Sequence, residues 1–346
     1  MRIAYIIPSL VANGPCIVAH DLVEVMTQHG NECEVFYFDE KGTLHFPCPV
    51  HHISMNDKID LESFDVVHSH EFRPNLYVLF HKVAGPKYVC TLHNYLFRDY
   101  RSTYGWMKGK VWACLFLLSI ARHDCCVALS KDMMRYYEHF LHKEKLTYAY
   151  NTRMIDDTCG GVEDSDIYKR IVDFKGENGK LLGTNCRILK RKNLNLVFKA
   201  MTLLPNNYRF VIVGDGPDKE LVKRQAVEAG VSDRVLFAGR CEDAYKLLPL
   251  YDVFVIPSET EGFPLSLLEA AYFERKCVCS DLEVFKECFT EDEVKIFRLY
   301  DFRELALKIK EISVDANIGK RLRKKYDEAY SMDCFYKRYM EIYQQK

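Results

Sequence analysis

The sequence predicts an α/β architecture of two Rossmann-like domains facing across a cleft, and three observations predict it. Short β-rich runs recur at spacings that leave room for a crossover helix, as at residues 17 to 29. The alternation occurs twice, once in each half of the chain. A polar stretch with two adjacent glycines separates the halves. At 346 residues and 48% hydrophobic content, the chain is long enough for two ordinary cores.

In the first half, the runs RIAYIIP, CEVFYF, DVVHSH, KYVCTLH, DCCVALS and KLTYAYN read as strands. Strands alternating with helix-length stretches give a parallel sheet. The linker candidate follows, DDTCGGVEDSD at residues 156 to 166 with Gly160 and Gly161, and the boundary is expected near residue 170. In the second half the runs KLLGTN, YRFVIVGDG, RVLFAGR, VFVIPS, KCVCSD and VKIFRLY repeat the arrangement. The last stretch, RLRKKYDEAYSMDCFYKRYMEIYQQK, has helix-like aromatic spacing with a break near Ser331. The expected organisation is a first Rossmann-like domain at 1–169, a second at 170–325 and a helical tail at 326–346 packing back on the first domain.

Composition narrows the function classes. A formal net charge of -1 supplies no global basic field, so no nucleic-acid partner is expected. MRIAYIIPSL reads as a first strand rather than a signal peptide, and VWACLFLLSIA at 111–121 is too short to span a bilayer. The 14 cysteines show no paired C-x-x-C units at zinc spacing, so reduced, mostly buried thiols in a cytosolic protein are expected. His68 with His70, and His51 with His52, could ligate a metal but lack other close ligand candidates.

Open α/β sheets bind ligands beyond the carboxyl ends of their strands, so the informative residues stand where strands run into loops. In VANGPCIVAH, Asn13 and Gly14 precede a helix, either as an anion-accepting loop or as a plain tight turn. In CTLHNY, His93 ends a strand, where it can donate to a sugar hydroxyl or phosphate, or simply cap the loop. In GTNCRILKRKNL, Arg187 and Lys192 flank Lys190 and Arg191 after a strand; two fixed cations suit a diphosphate, and a solvated basic loop is the alternative. In VIVGDGPDKEL, Gly214 and Gly216 lack the third glycine of a dinucleotide signature, because Lys219 stands there, and read as a turn shaping the cleft.

The fifth place is SETEGFPLSLLEAA. Pro264 is expected to start a helix whose first amides, near Leu265 and Ser266, can hold a phosphate. Glu261 precedes it, and Glu269 falls in an apolar helical pattern with Leu265, Leu268, Ala271 and Tyr272. A carboxylate buried there without a partner would cost several kcal/mol or lose its charge.

Glu261 and Glu269 match the E-x7-E motif of the retaining glycosyltransferases of family 4, enzymes with the two-domain GT-B fold. PSETEGFPLSLLEA resembles that family's P-S-x-x-E-G-F-x-L-x-x-L-E-A segment, and Arg187 and Lys192 stand at its cation spacing. IVGDGP, VLFAGR, YDVFVIPS and the AYN at 149–151 extend the resemblance, which is looser in the first domain. It implies that Glu269 accepts hydrogen bonds from a ribose, that Glu261 contacts the donor sugar, and that Arg187 and Lys192 neutralise a departing diphosphate. Backbone groups of Gly262, Phe263, Pro264, Leu265 and Ser266 would assist, His93 would reach the transferred sugar, and Gly239 to Glu242, with Arg240, would border the base. The implied reaction moves a sugar, from a UDP-sugar foremost, to an acceptor hydroxyl with retention and without a metal or other cofactor. Three departures stand out: Pro264 and Cys186 where glycine is usual, and NGPCIV in place of a double-glycine loop.

The segment FRDYRSTYGWMKGKVWACLFLLSIARHD combines Arg98, Arg101, Lys108 and Lys110 with Tyr100, Tyr104, Trp106 and Trp112. It reads either as a surface for an anionic membrane or as a buried helix with a basic lead-in. The first reading implies a lipid-linked saccharide acceptor at the inner face of the membrane, and by resemblance a bacterial surface-polysaccharide pathway. A catalytically silent nucleotide-sugar-binding or partner protein, and a nucleotide-sugar epimerase, are the alternatives.

Overall fold

The computed structural model describes residues 1–156 and 162–345. Gly160 and Gly161 of the expected linker lie outside the described residues. Contacts divide the chain into two units, Met1–Met154 with Tyr330–Lys346, and Ile155–Ala329.

The first unit carries β1 (Arg2–Leu10), α1 (Gly14–Gln28), β2 (Glu32–Gly42), β3 (Val50–His52), β4 (Val66–His70), α2 (Phe72–His81), β5 (Lys87–Leu92), α3 (Leu96–Tyr104), α4 (Trp106–Ser119), β6 (Cys125–Ala128), α5 (Lys131–Tyr137) and β7 (Leu146–Tyr148). Its strands form one sheet in the order β3-β2-β1-β4-β5-β6-β7, every pairing parallel. Ile3 to Ile7 and the whole of β4 are buried, as strands covered on both faces must be. Asn13 caps α1 by accepting the Cys16 amide at 3.2 Å, and Ser130 caps α5 by accepting that of Met133 at 3.0 Å.

The second unit carries α6 (Asp166–Lys175), β8 (Lys180–Asn185), α7 (Leu194–Met201), β9 (Tyr208–Val213), α8 (Lys219–Glu228), β10 (Val235–Gly239), β11 (Val253–Ile256), α9 (Leu265–Tyr272), β12 (Cys277–Ser280), α10 (Glu283–Cys288), β13 (Lys295–Phe297), α11 (Phe302–Val314) and α12 (Ile318–Ala329). Its parallel sheet runs β10-β9-β8-β11-β12-β13, so the strand order reverses between β8 and β11. Such a switch point leaves a crevice at the carboxyl ends of the two strands. Both units are therefore the parallel α/β layers expected.

Two boundaries differ from expectation. Residues 155–156 and 162–169, expected with the first domain, lie with the second unit, because α6 buries Ile171 there and Arg170 donates to the Ala238 carbonyl at 3.4 Å. The tail divides at Ser331, which caps α13 (Met332–Gln344) by accepting the Cys334 amide. Upstream, α12 stays in the second unit, where Arg323 donates to the Tyr272 carbonyl at 2.6 Å and so steadies the C-terminus of α9. Downstream, α13 lays Phe335, Tyr339, Ile342 and Tyr343 into the first unit. All described cysteines are free, and no helix among the described residues is long and apolar enough to cross a membrane.

Candidate active site

At the switch point of the second sheet, three loops meet through backbone. The glycines after β9 make this possible. A Cβ on Gly214, whose φ is +138°, would fall 1.9 Å from the Cys186 carbonyl oxygen, and one on Gly216 would fall 2.1 Å from that of Ile188. The glycine turn thus cradles the basic loop: the Cys186 amide donates to the Val213 carbonyl, the Ile188 amide to that of Asp215, and the Lys190 amide to the Asp218 carboxylate. The turn fixes residues 186–190.

The far end of the basic loop is tied to the segment after β11. The Glu259 amide donates to the Arg191 carbonyl at 2.8 Å, and Arg191 Nη1 donates to the Thr260 carbonyl at 3.1 Å. Between them Lys192 Nζ stands 2.6 Å from Glu261 Oε1, which also accepts from Ser258 Oγ at 2.6 Å, with Arg191 Nη1 3.9 Å from Oε2. Burial pushes the Glu261 carboxyl up, but Lys192 and Arg191 outweigh it and hold the group below the usual carboxylate value. Arg187 is exposed and makes no ion pair or hydrogen bond among the described residues. Asn185, Cys186, Lys192, Ser258 and Ser266 line a small pocket here, and burial pushes the Cys186 thiol up to about 11, leaving it neutral. Arg187, Lys190, Arg191 and Lys192 thus cluster at the carboxyl end of a parallel sheet, beside the carboxylates of Glu261 and Asp218.

Three expectations for the glutamate segment need correction. Glu269 is half-buried rather than buried: it shares the outer face of α9 with Leu265, Ser266 and Tyr272, while Leu267, Leu268, Ala270 and Ala271 face the core. The 3.6-residue period places it one step off the apolar stripe, so less desolvation has to be offset than the sequence suggested. Pro264 is the cap rather than the first helical residue. The Leu265 amide is already engaged by the Phe263 carbonyl at 3.0 Å, so it is not the open phosphate donor expected. Phe263 and Pro264 are buried, Gly262 half-buried, and Arg240 is exposed with only a 4.0 Å approach to Glu242.

In the first unit, Asn13 spends its side chain on the Cys16 amide and Pro15 has no N–H, so the start of α1 offers less to an anion than the sequence suggested. Gly14 has open space where a Cβ would be. His93 is buried after β5 with Nε2 3.0 Å from His70 Nδ1, and burial pushes its imidazole down to about 3. His68 is held by Tyr343 Oη at 2.7 Å and Thr91 Oγ1 at 2.8 Å. This buried relay, completed by α13, was invisible to spacing because its partners lie up to 275 residues apart. His51 approaches Glu34 and His52 the Phe38 carbonyl. Among the described residues no group of three or more His, Cys, Asp or Glu is placed to hold a metal ion.

Comparison with known proteins falls on the same segments. A family model described as Glycosyl transferases group 1 matches residues 169–329, and one described as Glycosyltransferase Family 4 matches residues 49–152. The chain is 29% identical over 306 residues to the O-antigen biosynthesis glycosyltransferase WclY of Escherichia coli, covering 84% of this chain and 83% of that one. It is 24% identical over 254 residues to the UDP-Gal:alpha-D-GlcNAc-diphosphoundecaprenol alpha-1,3-galactosyltransferase of Escherichia coli, covering 70% and 64%. Among solved structures, HepE of Anabaena in complex with UDP and glucose superposes with a TM-score of 0.81 at 16% identity over 99% of each chain. The sucrose-phosphate synthase of Thermosynechococcus elongatus gives 0.80 at 16% identity over 99% and 98%. At such identities the structural likeness concerns the fold alone.

Proposed function

Because the chain is a glycosyltransferase of the GT-B type, we propose that its second unit binds a nucleoside diphosphate sugar, a UDP-sugar foremost. The sugar then passes, with retention, to a hydroxyl of a lipid-linked saccharide in bacterial polysaccharide assembly. The observation that carries this reading is the basic loop of Arg187 to Lys192, closed onto Glu261 at the strand-order switch point. Arg187 and Lys192 neutralise the diphosphate and stabilise it as it leaves. A bound diphosphate draws Lys192 toward its own oxygens, which frees Glu261 to accept hydrogen bonds from hydroxyls of the transferred sugar. Glu269, on the open face of α9, accepts from the ribose, and Ser266 and the chain from Gly262 to Leu265 border the phosphates. Arg240 stands on the base side.

These cations supply the charge that the leaving group needs, so the reading assigns no divalent metal. In the first unit His93, neutral at physiological pH, donates to or accepts from a sugar hydroxyl, with Asn13 and Gly14 on the acceptor side. Glu261 is given to the hydroxyls of the transferred sugar, with Ser258 still on its Oε1 once Lys192 turns to the diphosphate, so the reading assigns no covalent nucleophile and takes departure and attack on one face of the sugar. A glycosyl adduct on Glu261 would contradict that route.

The lipid-linked acceptor is supported by the acceptor in the name of the galactosyltransferase relative and by a surface of the first unit. On α3 and α4, Trp106 is 66%, Met107 72%, Val111 59% and Leu118 57% exposed, with Arg101, Lys108 and Lys110 exposed among them. Large apolar side chains bracketed by bases suit the interface of an anionic bilayer. The test is transfer from a panel of UDP-, GDP-, ADP- and TDP-sugars to a synthetic GlcNAc-diphosphate lipid in EDTA, with the product's anomeric configuration read by NMR. Retained configuration with one donor class is expected. Nucleotide binding without transfer to any acceptor would favour a silent binding protein.

A further inference from the structure

The amino edge of the second sheet carries a cavity that lies apart from the proposed donor site. Its volume is about 320 Å³, and it is bordered by Lys180 at the start of β8, Asp252 ahead of β11, Glu274, Arg275 and Lys276 between α9 and β12, and Lys320 on the first turn of α12. Strand β8 runs from Lys180 at this edge to Asn185 at the other, so at about 3.3 Å per residue the cavity and the basic loop stand roughly 16 Å apart. Ligands of open α/β sheets lie at the carboxyl ends of the strands, so the sheet itself gives no reason for cations to gather at the opposite edge.

Four cations border the cavity, and none of them is paired with a carboxylate among the described residues. Two have local work. Arg275 donates through Nε to the Phe273 carbonyl at 2.7 Å and through Nη1 to that of Pro249 at 3.3 Å, while Lys276 Nζ donates to the Ser313 carbonyl at 2.9 Å in the last turn of α11. These bonds fix two half-buried side chains and leave Arg275 Nη2 and two protons of Lys276 unspent. Lys180 leans on Tyr208, 5.3 Å from the ring centre and 3.5 Å from Oη. The Lys320 side chain is exposed and makes no hydrogen bond or ion pair among the described residues. Its place is set by Gly319: a Cβ there would fall 1.9 Å from the Glu274 carbonyl oxygen, so α12 presses its first turn against the cavity wall. Like charges gathered in this way repel one another, and no acid in the cavity offsets them.

The two carboxylates on the lining differ in what they have left to offer. Asp252 is spent, accepting from the Leu181 amide at 2.7 Å and from Lys175 Nζ at 2.8 Å. Glu274 stands in the left-handed region at φ +55°, just past α9, where glycine is the ordinary residue. Its carboxylate makes no hydrogen bond or ion pair among the described residues. The cations suit a phosphate, and a free carboxylate beside them suits a hydroxyl rather than a second anion. The volume lies at the lower end of small-molecule sites, about 300–1,000 Å³, and so has room for one sugar ring with its phosphate. We propose that the cavity binds a phosphorylated monosaccharide, its phosphate on Lys180, Arg275, Lys276 and Lys320 and a ring hydroxyl on Glu274. The cavity lies wholly within the second unit, and its occupancy does not depend on a donor nucleotide.

Calorimetric titration of the full-length protein tests this with the 6-phosphates of glucose, galactose and mannose, with free glucose and with inorganic phosphate. The wild type, Lys320→Ala and Glu274→Gly are compared, each with its melting temperature. At least one hexose 6-phosphate should bind one-to-one with a Kd below ~1 mM, at least ~10-fold tighter than inorganic phosphate, and free glucose should not bind. Lys320→Ala should weaken that binding ~10-fold or more, as loss of a charged hydrogen bond to phosphate does, with melting unchanged. Glu274→Gly, relieved of its backbone strain, should melt no lower than wild type and should lose affinity for the hexose phosphate but not for phosphate. Saturating UDP should leave the hexose phosphate bound. Failure of all three sugar phosphates to bind, or undiminished binding in Lys320→Ala, would overturn the proposal. Displacement by UDP would overturn it too, by placing the ligand at the donor site, and equal affinity for inorganic phosphate would reduce the cavity to an adventitious ion site only. A wild type that binds no UDP would count against the donor site alone, because the two variants still judge the cavity.

Discussion

Replacing Lys192 with methionine removes the cation nearest Glu261 while keeping most of the side-chain volume. The two side chains are only 16% and 11% exposed and meet at 2.6 Å. Removing one member of a buried pair costs about 3–5 kcal/mol when the other is left uncompensated. Ser258 Oγ, donating at 2.6 Å, and Arg191 Nη1, at 3.9 Å, remain to soften the loss. The expected cost is therefore about 2–3 kcal/mol, which at 2–4 °C per kcal/mol lowers the melting temperature of such a unit by roughly 4–12 °C. The pH dependence gives the sharper test. In the wild type Glu261 is held below its ordinary value, so its contribution is present at neutral pH and is lost as pH falls through the lowered native value. In Lys192→Met, burial loses its main opponent and Glu261 protonates more readily. Acidification then relieves the variant while it costs the wild type, so the stability gap narrows as pH is lowered. Thermal melts across a pH series, with Lys192→Met/Glu261→Gln as a control that should recover most of the loss, provide the assay. A gap independent of pH, or a double variant no more stable than the single one, would refute the reasoning.

Other perturbations have equally definite outcomes. Gly216→Ala drives a methyl to 2.1 Å from the Ile188 carbonyl oxygen, so the basic loop shifts and calorimetry should show UDP binding weakened at least ~10-fold, about 1.4 kcal/mol. Tyr343→Phe strips His68 Nδ1 of its 2.7 Å partner and Tyr5 of its 3.2 Å partner. Denaturant unfolding should report a loss of about 1–3 kcal/mol, with UDP affinity unchanged. Reversing Lys108 and Lys110 to glutamate should remove at least ~1 kcal/mol per residue of binding to anionic vesicles, read by co-sedimentation, while melting stays put because both side chains are exposed.

Most of the fold was legible because its strands are buried on both faces and read as continuous β-rich runs. β3 escaped: it has three residues, all exposed, at the sheet edge, and its two histidines drew attention as ligands instead. The basic loop and the E-x7-E pair were legible as motifs, but the ion pair between Lys192 and Glu261, 69 residues apart, was not. Local spacing cannot report which side chains a switch point brings together. Glu269 was misjudged for a related reason. The apolar pattern around it is strong, but a helix of eight residues has little room for a polar face, and one step of 100° separates core from surface.

The central claim is a donor site in the second unit, and the direct test is calorimetric titration of UDP into the wild type and Arg187→Ala in EDTA. Arg187 has no partner among the described residues, so its removal should leave the melting temperature unchanged while weakening UDP binding ~10-fold or more, as expected when a charged hydrogen bond to phosphate is lost. A folded wild type that binds no UDP, or an Arg187→Ala variant that binds it equally well, would contradict the account.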